Sequence, residues 1–337
     1  MRQVWIPRIG GPEVLEVREA PDPVPVAGQV RIAVEAAGVN FADLMARQGL
    51  YPDAPKLPAV VGYEVAGTID AVGDGVDPSR VGEPVVAMCR FGGYSSSICV
   101  ASIQATRRPA GMDAHTGAAI PVVFLTAWMM CEVFGRVRPG DRVLVHSAGG
   151  GVGLAALDLI RWRGGTAFGT ASSGKHAVLR ERGFEQLIDY TQVDFAEALK
   201  GEVGLDLILD PVGGASWAKG LSLLRAGGKL ACFGMSSNAT GETRNLLTVL
   251  RNLWAIPWLA TNPVALINAN KGVVGVNMGH LWHETERVTG WLGEILALWE
   301  TGVVRPVVHA AVPFAEAAEA HAILHRRENL GKVVLIP

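Results

Sequence analysis

Charge is what this sequence has least of. Of its 337 residues only 18% are Asp, Glu, Lys or Arg, while 49% are hydrophobic. Soluble domains usually carry ~25% charged residues, so much of this chain is predicted to be buried or to form apolar interfaces. Thirty Lys and Arg face 32 Asp and Glu, for a net charge of −2, which leaves no basic excess to attract nucleic acid. Cysteine is scarce as well: Cys89, Cys99, Cys131 and Cys232 form no CxxC pair, and no His stands at ligand spacing beside one. That argues against a zinc site built from them and predicts free thiols in an intracellular protein. Long apolar runs are missing too. Gly117–Cys131 is shorter than the ~20 residues a spanning helix needs and contains Pro121, and Leu253–Ile267 is interrupted by Pro257, Asn262 and Pro263. The opening MRQVWIPRIGG has no signal-peptide core. The expectation is a cytoplasmic protein with no membrane span, with peripheral membrane contact left open. No Ser/His/Asp constellation, internal repeat or low-complexity tail is visible.

What is present is a glycine turn in the right surroundings. In Arg142–Gly153, RVLVHSAGGGVG, the apolar run Val143–Val145 suits a buried parallel strand. Ser147–Gly151 forms a small-residue turn, and the residues after it read as a helix. Strand, tight turn and helix present free backbone N–H groups to a diphosphate. Gly150 would let the backbone approach the diphosphate and Gly153 would let the helix pack against the strand, with Gly149, Gly151 and Val152 between and beside them. Ser147 stands where the most regular form of this fingerprint has its first glycine.

Around this turn the chain divides in two, as its length suggests. Up to about residue 120 it reads as short strands with glycine punctuation: Val14–Val17, Val30–Ala36, Glu64–Val72, Val85–Met88 and Ser96–Val100. A short helix starts after Asn40, a suitable N-cap, and a proline-rich loop covers Gly49–Pro58. From Val122 onward, strands at Val143–His146, Thr166–Thr170, Leu187–Asp189, Leu205–Leu209, Lys229–Phe233 and Val273–Val276 alternate with helices. Those helices are Leu154–Arg163, Lys175–Gly183, Phe195–Leu199 and Trp217–Leu224. This predicts an α/β fold with a doubly wound parallel sheet. A helix at Glu294–Thr301, a second at Ala315–Arg326 and a strand at Lys332–Ile336 are expected to return to the first domain, making it discontinuous.

Taken together, Ala37–Asp43 (AGVNFAD), Gly62–Gly67 (GYEVAG), His146–Gly153 and Gly331–Leu335 (GKVVL) resemble the medium-chain dehydrogenase/reductase superfamily. Within it, Asn40-Phe41-Ala42-Asp43 is similar to the zinc-independent quinone oxidoreductases. Phe41–Tyr51 and Ala269–Gly279 are most similar to the vesicle amine transport protein homologues of that group. The resemblance implies a GroES-like β-barrel domain of residues 1–121 and 285–337, and a Rossmann-type domain of residues 122–284. Asn40 and Tyr63 stand where zinc alcohol dehydrogenases have a Cys and a His. Glu64 alone cannot hold a metal that needs about four ligands, so no metal is expected.

The cofactor reading rests on the residues after the second strand of the α/β half. An NAD site would place an acid there, but Ala171-Ser172-Ser173-Gly174-Lys175 has none before Glu181. Hydroxyls and an ammonium suit a 2′-phosphate, so Ser172, Ser173 and Lys175 are its candidate binders and NADPH the expected cofactor. The same residues also suit a plain turn with a solvated lysine. The resemblance adds Tyr190 beside the adenosine phosphate. It also adds Phe233, Gly234, Met235, Val276 and Asn277 beside the nicotinamide, and Asn329 where related enzymes close over the cofactor.

Reduction of a quinone or an α,β-unsaturated carbonyl puts negative charge on oxygen, which neutral donors can meet without a metal. Asn40 comes first, as the residue in the lost metal-ligand position; Tyr51, Tyr63 and Thr126 carry hydroxyls that could donate or relay a proton. Asn40 could equally serve only as a helix cap, Tyr51 as a substrate wall, Tyr63 as packing, and Thr126 as a bond to its own backbone. Asp43 and Glu64 read as structural charges. The apolar stretch Asn245–Ile267, with Trp254 and Trp258, suits a pocket wall, a homodimer contact or a lipid surface. The function expected is a zinc-independent, NADPH-dependent reductase of quinones or enones. The alternatives are an NADPH-binding protein that works through lipid or partner contacts, and an enoyl-thioester reductase.

Overall fold

The computed structural model describes residues 1–201, 204–239 and 246–337, and the first residue of the Asn245–Ile267 stretch lies outside them. The described residues form two compact units, one of residues 1–125 and 278–337 and one of residues 126–239 and 246–277. The dividing points fall four and seven residues from those expected at 121 and 284.

In chain order, the first unit opens with β1 (Arg2–Trp5), β2 (Glu16–Glu19), β3 (Gln29–Val39) and helix α1 (Phe41–Arg47). It continues through β4 (Glu64–Val72), β5 (Pro84–Met88), β6 (Ser97–Ala101) and β7 (Ala105–Arg107) to the short helix α2 (Ala114–Ala118), and the dividing point after Leu125 falls within the next helix, α3 (Pro121–Trp128). The second unit holds β8 (Arg142–Val145), α4 (Gly151–Trp162), β9 (Thr166–Thr170), α5 (His176–Arg182), β10 (Gln186–Ile188) and α6 (Phe195–Ala198). It ends with β11 (Leu205–Asp210), α7 (Ala215–Leu223), β12 (Leu224–Cys232), α8 (Leu246–Trp254), α9 (Pro263–Ala269) and β13 (Gly272–Gly275). The chain then returns to the first unit with α10 (Thr285–Glu300), β14 (Val308–Pro313), α11 (Ala317–His325) and β15 (Lys332–Ile336).

The second unit is the doubly wound sheet that the alternation predicts. Its six strands run parallel in the order β10-β9-β8-β11-β12-β13. The first three wind outward one way and the next three the other, so the direction reverses between β8 and β11. Ligands of such sheets bind beyond the carboxyl ends of the strands at that reversal, where the turn after β8 stands. Val143, Leu144 and Val145 are fully buried, as a strand covered on both faces requires.

The first unit carries a seven-stranded sheet in the order β14-β15-β3-β4-β5-β7, with β6 also paired to β3. It is antiparallel except between β14 and β15. The last strand pairs with β3, while β1 and β2 form a separate two-stranded sheet. Its core joins Ile32, Leu44, Val65 and Ile69 to Phe314, Val333 and Leu335.

Three expected elements differ, one of them the strand expected over Lys229–Phe233, which begins at Leu224. Val14 closes a 3₁₀ turn over Pro12–Val14, and the strand runs from Glu16 instead. Pro12 presets the turn, and the side chains of Glu16–Glu19 are exposed, which erases the apolar pattern there. The helix expected from Glu294 begins at Thr285 and so includes Gly290 and Gly293. Each costs only about 1 kcal/mol in a helix, and burial of Leu292, Ile295 and Leu296 outweighs it.

Candidate functional site

In the second unit, Gly150 is the N-cap of α4, with extended backbone (φ −80°, ψ 169°) and no capping side chain. The first amides of α4 therefore face outward with no acceptor inside the helix. Ser147 sits at φ +55°, the left-handed conformation that the first glycine would take without strain. The departure from the fingerprint thus keeps the backbone path, at a cost of about 1 kcal/mol. A Cβ on Gly153 would lie 2.6 Å from the backbone oxygens of both Ser147 and Ala148, so the turn and helix touch there. The turn fits a diphosphate: a bare, tightly packed cradle of main-chain donors at a helix N-terminus.

All the other nucleotide candidates of this unit come after carboxyl ends of the same parallel strands. Ser172, Ser173 and Lys175 come after β9; Tyr190 after β10; Phe233, Gly234 and Met235 after β12; Val276 and Asn277 after β13. Asp210 ends β11 and fixes the next loop, accepting from the Val212 and Gly213 amides at 2.6 and 3.1 Å and from Ser216 Oγ at 2.6 Å. Beside it His146 is buried, with Nδ1 3.1 Å from Thr170 Oγ. Burial lowers its pKa more than the nearby Asp210 charge raises it, so it is neutral and serves packing.

Chain order hid one acid. The end of β9 has none, but Asp189, just past β10, places Oδ2 3.2 Å from the Ser173 amide. Its Oδ1 accepts from the Thr191 amide and hydroxyl at 2.9 and 2.7 Å. Those bonds, the Thr191 hydroxyl's foremost, hold its carboxyl below the usual range.

The first unit carries a buried polar cluster. Asn40 caps α1 through its main chain, and its N–H donates to Asp43 Oδ2 at 2.8 Å. Its side chain is used elsewhere: Nδ2 donates to Glu64 Oε1 at 2.9 Å, and Oδ1 accepts from the Lys332 ammonium. Only this amide orientation satisfies both an acid and an ammonium. The remaining contact of Nδ2, to the Gly38 carbonyl, is long at 3.5 Å. Lys332 also pairs with Glu64 Oε1 at 2.6 Å, and Glu64 Oε2 accepts the Val122 amide at 2.7 Å. Gly38 has to be glycine, since a Cβ there would lie 2.3 Å from Glu64 Oε1 and 2.7 Å from the Ala118 carbonyl oxygen.

Next to it, Asp43 is fully buried and accepts three bonds: from Asn40, from the Gly62 amide at 3.2 Å and from Tyr94 Oη at 2.9 Å. Burial outweighs these donors and the Lys332 charge, and the carboxyl rises to about 7. Tyr94 Oη is also 3.2 Å from Nε2 of buried His321. As Tyr94 gives its proton to Asp43, His321 must donate there as the Nε2–H tautomer. Burial and the nearby Arg47 charge push His321 well below its ordinary pKa.

A pH prediction arises here. A folded pKa of about 7 against 3.8 unfolded means that the native state holds an extra proton between those values. Asp43 thus contributes stability that is complete below about pH 4 and is lost as pH rises through 7. His321 and His325, both lowered, act in the opposite direction, but they are common to wild type and variant. The stability of Asp43→Asn relative to wild type should therefore climb across pH 4–7, as read by thermal unfolding. A flat difference would mean that Asp43 titrates normally.

Of the expected hydroxyls, Tyr51 and Tyr63 lie edge to face with ring centroids 6.3 Å apart, and Phe91 packs 5.2 Å from Tyr63. Phe91 holds φ +96°, a strained conformation for a bulky residue; the adjoining Gly92-Gly93 was its only signal in the sequence. Tyr63 is buried, and burial, then the charges of Asp43 and Tyr51, raise its phenol pKa. It can donate a hydrogen bond but is a poor proton donor. Thr126 is buried on α3, in the second unit. Asn329 is in the first unit, with Nδ2 donating to the Gly331 carbonyl at 2.8 Å. Sequence reasoning passed over Lys332, although a lysine inside the apolar strand KVVLI implies a buried partner.

Among the described residues no group of three or more His, Cys, Asp or Glu could hold a metal ion, and no helix is long and apolar enough to cross a membrane. α8, α9 and the segment between them present an exposed apolar surface, with Leu247 and Trp254 of α8 at 78% and 91% exposure and Leu259 of the segment at 88%. They immediately precede β13, an edge of the parallel sheet.

Comparison with known proteins agrees across nearly the whole chain. Residues 26–134 match the family model described as alcohol dehydrogenase GroES-like domain, and residues 182–335 the one described as zinc-binding dehydrogenase. The chain is 40% identical to the human synaptic vesicle membrane protein VAT-1 homolog over 326 residues, 96% of this chain and 82% of that protein. It is 32% identical to human quinone oxidoreductase over 345 residues, 100% of this chain and 98% of that protein. The solved structure of Escherichia coli quinone oxidoreductase complexed with NADPH shares the fold with a TM-score of 0.85 at 28% identity, covering 100% of both chains.

Proposed function

Because this chain belongs to the medium-chain dehydrogenase/reductase family, in its zinc-independent quinone oxidoreductase group close to the VAT-1 homologues, we propose that it is an NADPH-dependent reductase of quinones or α,β-unsaturated carbonyls. The observation that carries this reading is the bare, left-handed turn at the reversal of the parallel sheet, capped by Gly150. The quinone oxidoreductase of similar fold, named as a complex with NADPH, supports the same cofactor.

Each residue's role derives from what it has to offer. The amides of Gly151, Val152 and Gly153 hold the diphosphate, with Gly149 and Gly150 giving room for its approach. Ser172, Ser173 and Lys175 meet the 2′-phosphate, with Tyr190 alongside. Phe233, Gly234, Met235, Val276 and Asn277 line the nicotinamide end, and Asn329 steadies the loop before Gly331. The bound cofactor supplies the hydride. The first unit supplies neutral donors for the charge that develops on the substrate oxygen. Asn40 is held by Lys332 and Glu64 with one N–H poorly used, and is the first of these; Tyr63 is a second donor and stays protonated, while Thr126, which belongs to the second unit, carries a further hydroxyl. Tyr51, Tyr63 and Phe91 offer flat apolar faces suited to a planar ring.

The test is consumption of NADPH, with NADH in parallel, against ortho-quinones, para-quinones and short enones. Turnover is expected, and Asn40→Ala should lower kcat by about 10-fold or more, with NADPH affinity unchanged. Tight NADPH binding without reduction of anything on the panel would sink the reductase reading.

That outcome would favour a second one, a nucleotide-binding protein acting through a lipid or partner surface. The exposed face of α8 and α9, and the synaptic vesicle membrane designation of the VAT-1 relatives, speak for it. We assign that face first to a second copy of this chain, since it adjoins the open edge at β13. Light scattering should then give a dimer, whereas a monomer that floats with liposomes would assign the face to lipid.

A further inference from the structure

The proposed 2′-phosphate site contains a carboxylate that chain order conceals. Ser173 is one of its three candidate binders, yet its amide already donates to Asp189 Oδ2 at 3.2 Å. The carboxylate is anchored from its other oxygen by the Thr191 amide and hydroxyl, at 2.9 and 2.7 Å. It is therefore a placed group and not a freely swinging surface side chain. Both sets of hydrogen bonds favour its charged form, so it is an anion at neutral pH. A phosphate seeking the Ser173 amide must displace that anion or sit beside it. Either way the 2′-phosphate loses part of what Ser172, Ser173 and Lys175 provide. A ribose bearing a plain 2′-hydroxyl meets no such opposition.

We propose that Asp189 is a specificity-determining residue that opposes the 2′-phosphate and narrows the chain's preference for NADPH over NADH. The proposal rests on the reading of Ser172–Lys175 as the 2′-phosphate site. It adds that this site is a balance between an ammonium from α5's entry and a carboxylate from β10's exit, so that one neutralising substitution tips it.

The experiment measures binding and not turnover. The affinities of 2′,5′-ADP and 5′-AMP are determined by calorimetry for wild type, Asp189→Asn and Asp189→Ala. Both substitutions should tighten 2′,5′-ADP by about 10-fold and leave 5′-AMP within about two-fold, the gain shrinking as salt is raised. The NADPH-to-NADH affinity ratio should rise by the same factor. Two variants guard against a local refolding peculiar to one of them, and thermal unfolding confirms that each is native. If 2′,5′-ADP binds wild type and both variants equally, the role of Asp189 is overturned while the phosphate site stands. If 5′-AMP weakens instead, Asp189 holds the ribose hydroxyls and the proposal is wrong. If wild type prefers 5′-AMP and Lys175→Ala changes nothing, the 2′-phosphate reading itself fails, and the inference with it.

Discussion

Lys332→Met is expected to destabilise the protein by about 3–5 kcal/mol, the usual cost of leaving one half of a buried ion pair without the other. Lys332 and Glu64 have side chains only 4% and 0% exposed, 2.6 Å apart. With the ammonium gone, the Glu64 carboxylate still has the Asn40 amide and the Val122 N–H, neither of which carries a full charge. Asn40 Oδ1 loses its donor at the same time. At about 2–4 °C per kcal/mol for a unit of this size, the melting point should fall by roughly 10 °C. A surface ion pair would give at most about 1 kcal/mol, so the size of the effect decides between the two descriptions. The double variant Lys332→Met with Glu64→Gln should recover most of the loss, because the buried charge leaves together with its partner. A loss below about 1 kcal/mol for the single variant would show that water reaches the pair.

Gly153→Ala should abolish most nucleotide binding and also destabilise the protein, although alanine is the better helix former. In an open helix the exchange gains about 1 kcal/mol. At Gly153 the new Cβ would stand 2.6 Å from the backbone oxygens of both Ser147 and Ala148. Main chain on both sides cannot turn aside as a long side chain would, so α4 has to shift away from the turn. The amides meant for the diphosphate shift with it, and NADPH affinity is expected to fall on the order of 100-fold, equivalent to ~2.7 kcal/mol. Gly290→Ala is the control. Gly290 is in α10 with nothing within 4 Å of its Cβ direction, so the same substitution there should stabilise by up to about 1 kcal/mol. Calorimetric binding of NADPH and thermal unfolding of both variants decide the matter. A Gly153→Ala protein that binds normally would show that the turn holds no diphosphate.

The legible parts of the sequence are those whose physics is local. Val143–Val145 announces a strand covered on both faces, and Ser147–Gly153 announces a turn into a helix, because burial and backbone freedom act over a few residues. Six strand segments with helices between them suffice to predict a doubly wound parallel sheet; where its direction reverses comes from the strand order. The motifs around Asn40, Glu64 and Gly331-Lys332 pointed to the family through the same short windows.

What these residues do for one another was decided only by the tertiary structure. Lys332 and Asn40 are 292 residues apart, and they meet because β15 lies antiparallel to β3 with Val333 opposite Val39. Tyr94 and His321, 227 residues apart, meet in the same unit. Asp189 reaches Ser173 because β10 pairs beside β9, which turns a stretch that looked free of acids into one that holds a carboxylate. Sequence periodicity reports which face of an element is buried. It carries no record of which strand will lie alongside, and a buried charge takes its partner from that neighbour.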